Sequence, residues 1–180
     1  APSLVGSEMC IRDSYDDDTT LSVDTINNMN LLATGNQDTI DLSVSVIEAL
    51  SGTHGTSDLE QGDGTDLGAT DTVVVKEASG ATSFNDASDI LVVVGAEFST
   101  TALLETALET GSRTLTVTSD LATADGGGFL VLYSDGTDAY LAVADVAAET
   151  DDDLNFEAND LAITQILKIA GVTSIASGDF

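Results

Sequence analysis

The sequence predicts an α+β fold: a mostly antiparallel, sandwich-like β-sheet domain covered by two or three short helices. Three observations carry this. Short runs of Val, Ile and Leu recur between clusters of Gly, Asp, Ser and Thr, the composition of strands separated by turns. One pair of these runs brackets an Asp-Gly turn. Two other stretches carry their apolar residues at helical spacing.

In chain order, residues 1–14 stand apart. Met9-Cys10-Ile11-Arg12-Asp13-Ser14 holds the lone Cys and one of four basic residues, and it resembles the translation of a transposase-end adapter used in sequencing libraries. Residues 1–14 are therefore read as an artefact or an exposed leader, and residues 15–180 as one module. Asp16-Asp17-Asp18 is a solvated run. Residues 30–43 read as a turn entering a short strand, and 44–50 fit a short helix or a strand, closed by Gly52. Residues 53–70 form a long loop of Gly, Asp and Thr.

Strands follow at 72–76 and 89–94. The second is an unbroken apolar run, as in strands buried on both faces. Ser99 or Thr100 then caps a helix that runs through Thr110 to Gly111, with a stripe of Leu103, Leu104, Ala107 and Leu108. Residues 114–118 alternate Thr with Leu and Val, the period of a half-buried strand. Phe129-Leu-Val-Leu-Tyr133 and Ala139-Tyr-Leu-Ala-Val143 flank Ser134-Asp135-Gly136-Thr137-Asp138, a β-hairpin whose Asp-Gly supplies the required positive φ. Gly126-Gly127-Gly128 reads as a flexible turn before that hairpin. Ile163, Ile166, Leu167 and Ala170 lie at helical spacing and predict a C-terminal helix over about 160–170, closed by Gly171.

Charge narrows the function. Thirty-two acidic residues face four basic ones, Arg12, Lys76, Arg113 and Lys168, for a net charge of -28. Such a surface repels phosphate backbones and anionic lipid, which excludes nucleic acid as a partner. Forty-two per cent hydrophobic residues and a mean hydropathy of +0.16 still provide for a core. No stretch approaches the roughly 20 apolar residues of a membrane span. With one Cys there is no internal disulfide framework.

The carboxylates cluster in Asp-rich loops, which suit calcium, a cation that takes six to eight oxygen ligands. Gln61-Gly62-Asp63-Gly64-Thr65-Asp66-Leu67 nearly matches one RTX nonapeptide, with Gln61 in place of the first Gly and Gly68 at the apolar position. Asp63 and Asp66 are the best candidate ligands, followed by Asp58, with solvated Asp loops as the competing reading. No EF-hand spacing is present. His54, the lone histidine, has no Cys near it and no G-x-S-x-G elbow elsewhere, so it reads as an exposed loop residue. The absence of Trp argues against a sugar-stacking platform for paired carboxylates. No enzyme is expected.

Residues 71–94, the helix at 101–111 and the hairpin Phe129-Leu-Val-Leu-Tyr-Ser-Asp-Gly-Thr-Asp-Ala-Tyr-Leu-Ala-Val143 together resemble the C-terminal module of RTX-type, type I-secreted bacterial surface proteins, some versions of which are called bluetail domains. Leu161-Ala-Ile-Thr-Gln-Ile-Leu-Lys-Ile-Ala-Gly-Val-Thr173 and Gly178-Asp179-Phe180 resemble the ends of the same proteins. The chain departs from them in lacking a tandem nonapeptide array. The resemblance implies type I export, a cell-surface or matrix location and calcium dependence.

The expected function is that of an extracellular structural protein, a subunit of an S-layer, sheath or filament, with calcium and copies of itself as partners. Edge strands at 72–76 or 114–118 are the expected contacts. The alternative is a monomeric export and calcium-folding module of a larger adhesin or toxin, with the C-terminal helix around 163–170 and the acidic end as its working parts.

Overall fold

The computed structural model of the chain describes residues 23–27, 58–59, 74–84, 90–117, 127–146 and 155–177. Within them run β1 (Asp24–Ile26), β2 (Asp58–Leu59), β3 (Val75–Ala78), β4 (Thr82–Ser83), β5 (Ile90–Glu97), α1 (Thr101–Glu109), β6 (Leu115–Thr116), β7 (Gly127–Ser134), β8 (Ala139–Val146) and β9 (Leu161–Ile169). One large sheet has the order β1-β9-β8-β7-β5-β3, β2 lies along the start of β7, and β4 and β6 form a separate parallel pair.

The architecture is α+β, and the large sheet is mixed rather than mostly antiparallel. β7–β8 and β8–β9 are antiparallel, whereas β3–β5, β5–β7 and β1–β9 are parallel. Parallel neighbours need a long crossover, and α1 lies in the one between β5 and β7.

That helix begins where the sequence places it. The Thr100 side chain accepts a hydrogen bond from the Leu103 N–H at 3.3 Å, satisfying one of the helix's free donors. Leu104, Ala107 and Leu108 turn toward the sheet and are buried. At Gly111 an added Cβ would stand 2.8 Å from both Ala107 Cα and the Thr106 carbonyl oxygen, so the exit from the helix needs a residue without one.

α1 is the single helix among the described residues, not one of two or three. The segment 44–50 lies outside them. The C-terminal helix expected over 160–170 is instead strand β9, paired antiparallel with β8 and parallel with β1. The reason is a bulge: Leu141 faces Leu167 but Ala142 faces Gln165, so Ile166 is the extra residue. Leu161 and Ile163 pack on one face of the sheet, while Ile166, Leu167 and Ile169 pack on the other. Two alternating patterns joined out of phase imitate a helical period. Gly126-Gly127-Gly128 also differs from expectation, since β7 already starts at Gly127. β2 pairs with this start, with Asp58 opposite Gly127 and Leu59 opposite Gly128.

Both faces of the sheet are apolar. One carries Leu91, Val93, Phe129, Val131 and Ala144 beneath Leu104 and Leu108 of α1. Phe129 is flanked by Phe84 at 5.0 Å and Phe156 at 6.2 Å between ring centroids. The other face carries Ile90, Val92, Leu130, Leu132, Leu141 and Val143, joined by Val172 and Ile175. The run 90–93 is buried throughout, as its unbroken apolar composition predicts.

The outer side of β9 is covered in two parts. β1 pairs with residues 167–169, and helix carboxylates serve the earlier residues. Glu109 Oε1 accepts hydrogen bonds from the N–H groups of Asn159 and Leu161, both at 3.0 Å, and Glu105 Oε1 accepts from that of Ile163 at 2.8 Å. α1 thus supplies β9 with the acceptors a neighbouring strand would have provided.

Replacing Glu109 with Ala leaves the buried Leu161 N–H unsatisfied and the exposed Asn159 N–H to water, at a cost of about 1–3 kcal/mol. Glu109→Gln keeps an acceptor oxygen and costs less than half as much. Chemical denaturation of the two variants checks this through the order of their midpoints.

Candidate functional site

Polar side chains converge where β7 turns into β8. The turn itself follows from Asp-Gly. Asp135 Oδ1 accepts the N–H groups of Thr137 and Asp138, both at 2.8 Å, while Gly136 takes a φ of 88°. Glycine is favoured here by that φ, whereas the Glu97 carboxylate, 2.6 Å from an added Cβ, ends a flexible exposed side chain that can move aside.

Strand register then brings three side chains into a row. Tyr133 faces Tyr140 across β7 and β8, and Tyr140 faces Lys168 across β8 and β9. The tyrosine rings stack at 5.4 Å, and Lys168 Nζ lies 5.8 Å from the Tyr140 ring centroid. Tyr140 donates its hydroxyl to Asp135 Oδ2 at 2.9 Å, and Gln165 Nε2 donates to the Tyr133 hydroxyl. Lys168 Nζ reaches Asp138 Oδ2 at 2.6 Å, and Asp138 Oδ1 accepts the Gly171 N–H at 2.8 Å. The buried Ser134 hydroxyl lies 2.9 Å from the Thr173 carbonyl and 3.1 Å from that of Asp138, and it accepts the Gly136 N–H.

These contacts set the charge states. Burial pushes Asp135 up, but hydrogen bonds from Asp138, Thr137 and Tyr140, with the charge of Lys168, outweigh it and hold the carboxyl below its ordinary 3.8. Asp138 is held below 3.8 by the Lys168 hydrogen bond and then by the Gly171 N–H. The same Asp138 contact raises Lys168 above 10.5. Burial raises Tyr133 and Tyr140 above 10.0. Each oxygen of Asp135 and Asp138 already has a donor, so the cluster locks the turn and presents no unoccupied carboxylate.

A groove of about 480 Å³ opens beside it, between residues 93–97 and 173–175, with Glu97 as its ionisable lining side chain. Its geometry follows from the β5 bulge. Val92 faces Leu132 but Glu97 faces Ser134, and Gly95 at a φ of 69° takes up the slack. Behind Gly95 lies Arg113, 8% exposed, which donates from Nη2 to the Val94 carbonyl at 2.9 Å and lies over Phe98 at 5.8 Å.

Of the expected calcium ligands, Asp58 lies in β2, paired through its backbone with Gly127, and Asp63 and Asp66 lie outside the described residues, as does His54. No group of three or more His, Cys, Asp or Glu side chains among the described residues is placed to hold a metal. No helix among them is long and apolar enough to cross a membrane. The polar row was not anticipated. Tyr133 and Tyr140 flank the predicted turn and are legible as a cross-strand pair, but Lys168 and Gln165 stay hidden while their segment is read as a helix.

The turn cluster should titrate in both directions. Asp135 and Asp138 contribute stability above their ordinary 3.8 and lose it as pH falls through their lowered folded values. Lys168, Tyr133 and Tyr140 contribute fully below their ordinary 10.5 and 10.0 and lose it as pH rises through their raised values. Melting temperatures of the wild type minus those of Tyr133→Phe should fall only on the alkaline side. For Lys168→Met the difference should fall on both sides. Taking differences cancels the relief of acidic repulsion common to all variants.

No family model, curated protein or solved structure compared with the chain matches it.

Proposed function

We propose that this chain is an extracellular structural module that associates with copies of itself at a bacterial surface or matrix, as a subunit of an S-layer, sheath or filament, with calcium neutralising the contact. One observation carries the reading: a net charge of -28, with the three cations among the described residues already engaged. Arg113 is buried behind Gly95, and Lys168 is paired with Asp138. Lys76 makes interactions of its own. Two such surfaces repel each other unless an outside cation enters, and extracellular calcium at millimolar levels is that cation.

The sheet supports the same reading. Its terminal strands among the described residues are β1 and β3, and β3 overlaps the edge segment expected at 72–76. The other expected contact, around 114–118, is already engaged through β6 with β4. β1 and β3 run in the same direction, since β3, β5 and β7 are parallel, β8 reverses, and β9 and β1 return. Head-to-tail contact between such edges builds open assemblies rather than closed rings when the rotation does not close. Two buried apolar faces on one sheet fit a sandwich-like module. Of the alternative's two working parts, the C-terminal helix is instead β9 between β1 and β8, while the acidic end lies outside the described residues.

Light scattering of the chain with calcium titrated from chelator to about 10 mM, beyond the weakest extracellular site affinities, tests the proposal. Growth of scattering that chelator reverses is the expected result. A folded monomer throughout the titration would contradict it.

A further inference from the structure

We infer that residues 171–177 form a releasable strap, laid across one end of the sheet, fastened to a carboxylate near each end, and freed by acid. The inference concerns an opening within one chain and does not depend on the assembly reading. At the near end the Gly171 N–H donates to Asp138 Oδ1 at 2.8 Å. At the far end the Ser177 N–H donates to Glu77 Oε1 on β3, again at 2.8 Å. Between them the Thr173 carbonyl lies 2.9 Å from the Ser134 hydroxyl. Val172 and Ile175 enter the apolar face as plugs, at 4% and 6% exposure. Gly171, at a φ of 78°, makes the bend that turns the chain from β9 into the strap.

Much of the segment faces solvent. Thr173, Ser174, Ala176 and Ser177 are exposed, and the groove of about 480 Å³ separates 173–175 from the bulged end of β5. Segments with few buried contacts open locally, well below the free energy of global unfolding.

Acid acts on both anchors. Asp138 is faced by Lys168 from β9 and by Asp135 from the turn, with Tyr140 of β8 behind Asp135. Glu77 is faced by Ser177, and its neighbour Lys76 points to the opposite side of β3. Glu97 lines the groove beside the strap. Hydrogen bonds from Ser177 hold Glu77 below its ordinary 4.5, and Asp138 is held down by Lys168 and then by Gly171. Both fastenings are therefore strongest above those values and weaken as pH falls through the lowered ones. The backbone ladder between β7 and β8 has no such titration.

Hydrogen–deuterium exchange of the full chain, compared at pH 7 and pH 3 after correction for intrinsic rates, tests this. Exchange of the carboxylate-bound amides of Gly171 and Ser177 should rise on the order of tenfold in acid while amides of β7 and β8 keep their protection. Glu77→Gln retains an acceptor oxygen but cannot titrate, so amides near Ser177 should then lose their acid response while those near Gly171 keep theirs. Strap amides that exchange only together with β7 and β8, or an unchanged acid response near Ser177 in Glu77→Gln, would overturn the inference.

Discussion

β7 pairs with β5 on one side and β8 on the other, and each of residues 128–134 is buried, so the strand sits dry on both faces and both edges. Its alternate side chains build both apolar layers: Phe129, Val131 and Tyr133 meet α1 and its surroundings, while Leu130 and Leu132 meet the opposite face. Burying one such side chain contributes roughly 1.5–3 kcal/mol, so this strand and its two neighbours supply the attraction that must exceed the repulsion of a chain at -28. The bulge in β9 lies away from β7, and that in β5 falls at the end of their pairing, after Val92 faces Leu132.

A chain with so few basic residues cannot satisfy its carboxylates with ion pairs, and the fold instead spends several of them on main-chain donors. Glu105 and Glu109 serve the outer side of β9, Asp135 closes the hairpin turn, and Asp138 and Glu77 fasten the segment after β9. A hydrogen bond from a main-chain N–H to a carboxylate is charge-assisted, so each such contact retains much of the strength of an ion pair without needing a cation. Lys168 does make an ion pair, with Asp138, in the turn that also holds Asp135.

Local patterns carried the middle of the chain well. The cap at Thr100, the exit at Gly111, the doubly buried run at 90–93 and the hairpin around Asp135-Gly136 follow from chemistry spanning a few residues. The last strand was illegible because its bulge joins two period-two patterns out of phase, and only pairing with β8 reveals the break at Ile166. Parallel pairing of β3, β5 and β7 was hidden for a related reason. Short apolar runs do not state their direction, and the antiparallel hairpin was the one connection short enough to declare itself. The polar row of Tyr133, Tyr140 and Lys168 depends on the first of these, since Lys168 meets Tyr140 only once its segment is a strand beside β8.

The balance between a dry sheet and an acidic exterior links the fold to the proposed role. Screening by any salt relieves repulsion, whereas calcium bound by particular oxygens adds stability of its own. Melting temperature measured in calcium chloride and in sodium chloride at matched ionic strength separates the two most directly. A higher melting temperature in calcium at every matched strength is the predicted result. Equal melting temperatures in the two salts would contradict calcium as the partner and leave only the screening of charge.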